Sequence, residues 1–159
     1  MRKHRNRIAV AAAAILAALA LTACSGSGKA KDVDVAKTAD ALYETVNAKD
    51  SLSETQKEML GSIYFFEDGQ LVNSKVYMSD AATADEIVVA ECKDEDAAKK
   101  AAELLNTRVK NQKDRFATYN PDEAPKLDKA IVKSSGKYVV LCVCDDYDKA
   151  ESILKDAGF

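Results

Sequence analysis

Glu86-Ile87-Val88-Val89-Ala90-Glu91-Cys92-Lys93 runs directly into Asp94-Glu95-Asp96, and then into a segment where Ala98, Ala101, Leu105, Val109, Gln112 and Phe116 recur at helical spacing. Read as an extended segment, 86–93 is apolar on both faces, the pattern of a strand inside a sheet. The carboxylates that follow suit the first turn of a helix, where free N–H groups and the helix dipole favour negative charge. Asn120-Pro121 stops that helix near residue 118, because the residue before a proline leaves the helical region. One strand feeding one long amphipathic helix is thus the centre of the fold.

Working outward, Val76 and Met78 alternate with Lys75, Tyr77 and Ser79, which predicts a strand from about residue 73. The loop 80–85 then makes a hairpin with 86–93. Asp68-Gly69 reads as a turn before it. Further upstream, Val35, Ala39, Leu42 and Val46 predict a helix over 35–47 capped by Asp34. Ser53 and Gln56 have the spacing of a capping box before a short helix over 54–62. Downstream of Pro125, strands are expected over 129–134 and 137–144, joined at Ser135-Gly136. Asp145-Asp146 opens a last helix with Tyr147, Ala150, Leu154 and Ala157 on one side. The order α-α-ββ-α-ββ-α, with no internal repeat, predicts an α+β, two-layer domain over 32–159. Its expected core is a four-stranded, mostly antiparallel sheet with helices on one face.

The chain has 159 residues, a net charge of −3, four cysteines, one histidine and no tryptophan. Its start is of another kind. Arg2, Lys3, Arg5 and Arg7 precede an uncharged, Ala-rich run over 8–23 that is too short to be a typical membrane span. The run ends in Leu21-Thr22-Ala23-Cys24, which resembles the lipobox of bacterial lipoproteins. That resemblance implies a signal peptide over 1–23, a cleavage signal in Leu21, Thr22 and Ala23, and lipidation of the Cys24 thiol. Two or three acyl chains, at about 0.8 kcal/mol per buried methylene, hold a protein firmly to a membrane. Ser25-Gly26-Ser27-Gly28, within the tether over 24–31, reads as flexible, with an r.m.s. reach of about 15 Å. An exported domain on the outer face of the cell membrane is the expectation, with partners that meet it near that surface.

Removing 1–23 takes away four of the 23 basic residues, none of the 26 acidic ones and the single histidine, leaving a net charge of −7. Ser-His-Asp and Cys-His catalysis then lack a base, and His-type zinc sites lack ligands. The charge gives no basic footprint for nucleic acid. No catalytic, cofactor or metal constellation stands out, so a non-enzymatic binding or accessory domain is expected. The alternative is a thiol redox or metal carrier using Cys92, Cys142 and Cys144, or a carboxylate-dependent enzyme. The three thiols read first as small buried hydrophobes, with a disulfide from Cys92 as the other option. Asp94-Glu95-Asp96 and Asp145-Asp146 read as helix caps. In the long helix, Arg108 and Gln112 share a side. Gln112 interrupts the apolar stripe, and a polar group facing a core needs partners. A ligand pocket of Arg108, Gln112 and Tyr119, suited to an anion, is one reading; a hydrogen bond from Gln112 to loop backbone is the other. The basic run Arg108, Lys110, Lys113 and Arg115 reads as solvated charge, and Tyr64-Phe65-Phe66 as part of the core.

Several stretches resemble a family of bacterial lipoproteins described as domain of unknown function 4358. They are Tyr77-Met78, Ala84-Asp85-Glu86-Ile87, the Lys93-Asp94 helix start, Arg108…Gln112…Phe116…Tyr119-Asn120-Pro121, and Gly136-Lys137-Tyr138-Val139-Val140. The resemblance covers 77–154. It implies a lipid-anchored envelope protein and no established activity. Cys142 and Cys144 depart from the Val or Ser expected there.

Overall fold

A computed structural model describes residues 32–80 and 83–159. The signal peptide, cleavage signal, Cys24 and tether read from the sequence lie outside the described residues. The elements begin with helix α1 (Val35–Tyr43), strand β1 (Leu52–Glu54) and helix α2 (Leu60–Tyr64). The hairpin β2 (Leu71–Ser79) and β3 (Glu86–Cys92) follows, then helices α3 (Glu95–Tyr119) and α4 (Ala124–Leu127). Strands β4 (Ile131–Ser135) and β5 (Tyr138–Val143) and helix α5 (Tyr147–Ala157) complete the chain.

The fold is α+β, as the sequence implies, but the open antiparallel sheet has five strands in the order β1-β2-β3-β5-β4 rather than four. The additional strand is β1, whose Ser53 pairs with Met78. Three residues are too few to show alternation. Ser53 therefore lies in a strand and not in a capping box, and Gln56 precedes a 3-10 turn (Lys57–Met59) ahead of the shortened α2.

The two-layer expectation is also corrected. Strands β3 and β5 are buried along nearly their whole length, and their side chains alternate between two cores. Val88, Ala90, Cys92, Val139 and Leu141 pack under α3 with Leu105 and Phe116. Ile87, Val89, Val140 and Cys142 pack under α1 and α5 with Leu42 and Leu154. A strand apolar on both sides needs a helical layer on each, so the architecture has three layers, α/β/α. Each fully buried Leu or Val in these cores contributes about 1.5–3 kcal/mol.

The caps behave as the sequence suggests. Asp34, Asp94 and Asp146 accept from the N–H groups of Lys37, Ala97 and Lys149 at 3.0, 2.7 and 3.0 Å. Tyr64 and Phe66 are buried, but Phe65 between them is 72% exposed. It closes α2 in the left-handed region, at φ 62° and ψ 28°, where glycine is usual. Among the described residues it is the one non-glycine residue with positive φ.

Candidate functional site

Helix α3 outruns the sheet. Its 25 residues span about 37 Å, against about 23 Å for the seven of β3. It begins beside Cys92, at one pole of the sheet, and its second half passes the hairpin end at the other. Between Leu105 and Phe116 no α3 residue is fully buried. The overhang and the end of α2 form the walls of an open cleft of about 610 Å³, with the hairpin end as its floor. Arg108, Gln112 and Arg115, at i, i+4 and i+7 on α3, face Ile63 and Phe65 across Met78 and Glu86.

Arg108 fixes one end of this cleft. Its Nε donates to both carboxylate oxygens of Glu86, at 3.2 and 3.3 Å, and the two side chains are 20% and 3% exposed. Nη2 meets the Met78 thioether sulfur at 3.5 Å. Among the described residues Nη1 has no partner. The guanidinium also lies 5.7 Å from the Tyr64 ring centroid, in cation–π range. The Tyr64 hydroxyl is buried with no hydrogen-bond partner among the described residues. Burial first, then the Glu86 charge, hold its pKa well above the ordinary value.

Asp85, one residue earlier, also lines the cleft, but its carboxylate is taken by a different cation. Lys126 of α4 reaches its two oxygens at 2.9 and 3.1 Å, and also Glu123 and Asp145 at 3.1 Å each. Burial alone would lower the Lys126 pKa; hydrogen bonds to Asp85, Asp145 and Glu123 outweigh it and the net shift is upward. Asp85 is raised by its own burial, partly offset by Lys126. Two backbone N–H groups join the cluster. Glu123 accepts from Ala84 N–H at 2.9 Å, and Asp145 from Asn47 N–H at 2.6 Å. Lys126 thus holds α4, the start of β3 and the β5–α5 junction together from within.

Two of the three residues expected to form a pocket come together. Arg108 and Gln112 line the cleft; Tyr119 is exposed and does not. Gln112 makes no hydrogen bond among the described residues, so the loop-backbone alternative is not formed there. Arg115, read as solvated charge, lines the cleft without an ion pair among the described residues. Lys113 of the same basic run pairs with Asp128. Of the acidic clusters, Asp94 and Asp146 cap helices while Asp145 joins Lys126. Glu86 and Phe65 were missed as site residues, although the isolated carboxylates of Asp85-Glu86, abutting an apolar strand, were a usable signal.

The thiols lie apart from the cleft. Cys92, Cys142 and Cys144 are buried and free. Strands β3 and β5 are neighbours, yet Cys92 faces the α3 core and Cys142 and Cys144 the other. Burial pushes the Cys92 thiol up to about 11, and the Cys144 thiol and burial together raise Cys142. Cys92 and Cys142 are thereby poor nucleophiles and poor ligands at neutral pH, whereas Cys142 holds the buried Cys144 thiol below its ordinary range. Among the described residues, no group of three or more His, Cys, Asp or Glu is placed to hold a metal ion, and no helix is long and apolar enough to cross a membrane.

A family model described as Domain of unknown function (DUF4358) matches residues 44–144. The span contains every residue lining the cleft and leaves α1 and α5 on either side. No curated protein and no solved structure matches the chain.

Proposed function

From a chain that belongs to the DUF4358 family, we propose an exported lipoprotein, held by lipid on Cys24 to the outer face of the cell membrane. Its domain binds a small ligand or an envelope protein through the Arg108 cleft and catalyses no reaction. The observation that carries the binding reading is a set of polar groups on α3 with donors to spare: the terminal nitrogens of Arg108, whose one contact is the Met78 sulfur, the Gln112 amide and the Arg115 guanidinium, grouped on one wall of a concave site. A planar donor edge beside a second cation in a concave site suits an acceptor from outside.

The position of the tether supports this reading and refines it. Asp32, the first described residue, accepts from the Tyr138 hydroxyl at 3.2 Å, at the pole where β5 begins and β3 ends. The cleft stands at the other pole, about 20 Å away along β3. The chain thus enters the domain at the pole away from the cleft, which leaves the cleft open to a partner from the aqueous side.

The anchor is tested by metabolic labelling with an alkyne-bearing fatty acid. Cys24→Ala should abolish incorporation and free the protein from the membrane fraction. Continued labelling of the variant would overturn the anchor.

A further inference from the structure

We infer that the ligand of this cleft is a small organic carboxylate with an aromatic or similarly flat apolar body. The carboxylate meets the Arg108 terminal nitrogens, and the body lies over Phe65 and Met78. The inference rests on the binding reading above and names the ligand's chemistry.

The charge of the ligand follows from how Arg108 is held. A guanidinium has five N–H donors in a planar fork. Glu86 takes the Nε side with both of its oxygens, at 3.2 and 3.3 Å, which fixes the plane. The end-on pair, Nη1 and Nη2, is left with one weak contact, the Met78 sulfur at 3.5 Å. Two parallel N–H groups at that end match the two oxygens of a carboxylate. Gln112 and Arg115, one and two turns further along α3, add a neutral donor and a second cation without internal partners among the described residues. An ammonium ligand would meet two guanidinium groups. Of the three acids lining the cleft, Asp85 and Glu86 are buried and already held by Lys126 and Arg108, and Asp80 is exposed at its edge and also engaged.

The rest of the cleft argues for a carboxylate over a phosphate. Phosphate sites are commonly built on helix N-termini, whose N–H groups converge on the anion. Here the N-terminus of α3 lies at the opposite pole and is closed by Asp94, whose carboxylate already accepts from Ala97 N–H.

The apolar body follows from Phe65. Left-handed backbone costs an L-residue about 1–2 kcal/mol, and a glycine would avoid that cost. A phenyl ring held in this conformation, 72% exposed and on the wall facing Arg108, has no role in either core. Its exposed face, in a cleft that Met78 also lines, suits a flat partner ring. The volume of about 610 Å³ lies in the range of small-molecule sites.

The test uses the full chain in nanodiscs of zwitterionic lipid, titrated with three probes of one shape: phenylacetate, phenyl phosphate and phenethylamine. Phenylacetate should bind at least about tenfold more tightly than phenethylamine, with NMR shifts at Gln112 and Arg115. Arg108→Lys keeps a cation facing Glu86 but loses the fork, and should weaken phenylacetate about tenfold or more. Arg115→Ala and Phe65→Gly, both at exposed positions, should each weaken it several-fold and keep the test valid if Arg108→Lys fails to fold. Unchanged affinity in both would overturn the inference. Tighter binding of phenyl phosphate or phenethylamine in the same cleft would overturn the ligand class and leave the binding reading standing. If no probe binds, the ligand class falls. The binding reading is then decided by a photo-crosslinking amino acid in place of Arg115 in cells: a specific envelope adduct sustains it, and none ends it.

Discussion

Asp85 and Glu86 are neighbours at the start of one buried strand, and each meets a single cation, yet the two sites they make are opposites. Lys126 lies among three carboxylates, with four of their oxygens within 3.1 Å of its ammonium. An ammonium has three N–H donors, so none is left to offer a ligand. Arg108 is bound to Glu86 along one edge and open along another. The difference teaches that burial of a charged pair does not by itself mark function; the count of donors left over does. Removing one partner of a buried pair strands the other charge, at about 3–5 kcal/mol. Lys126→Met should therefore be the most destabilising change at this end of the sheet, lowering stability by about that amount in urea unfolding. A loss under about 1 kcal/mol would remove the distinction, since it would make Lys126 an ordinary solvated lysine.

Next in size is a pH effect confined to the Asp85 side. Burial raises the Asp85 carboxyl above its ordinary value of 3.8 even with Lys126 beside it. The folded chain therefore keeps this proton to a higher pH than the unfolded chain does. The associated stability is complete below the unfolded pKa and is lost as pH rises through the folded one. Asp85→Asn has no such proton. The wild-type Tm minus the variant Tm should fall as pH is raised from about 3.5 to about 7. A difference that grows across this window would mean that the attraction of Lys126 outweighs the cost of burying the carboxylate.

Both sites were only half visible in the sequence, for reasons of geometry. The helical stripe of α3 identifies its face, so Arg108 and Gln112 were found together. Tyr119 lies at nearly the same angle, but about 16 Å from Arg108 along the axis, beyond the cleft. Arg115, about 10 Å away, has the right height and was set aside as one of a run of surface charges. The apolar faces of β3 were legible, and they already required helices on both sides; the two-layer expectation did not follow that through. β1 was not legible, since a three-residue edge strand with one buried side chain, Leu52, has no period to detect. The Lys126 cluster joins residues far apart in the chain, at 85, 123, 126 and 145, which no local spacing reveals.

The smallest effect tests the comparison from the open side. At Phe65 the left-handed backbone costs about 1–2 kcal/mol for an L-residue, and glycine in its place restores about 0.5–1 kcal/mol of unfolded-chain entropy that folding must overcome. The ring is mostly solvent-exposed, so little buried area is lost with it. Phe65→Gly should then stabilise the domain by about 0.5–1 kcal/mol, read as a higher urea midpoint at unchanged m-value. The sign matters more than the size. A substitution that raises stability while weakening ligand binding separates a residue kept for the cleft from one kept for the fold. Lys126→Met, by contrast, should act on the fold first. If Phe65→Gly instead destabilises, the ring contributes packing that its exposure does not suggest. The open wall of the cleft would then belong with Lys126, as structure.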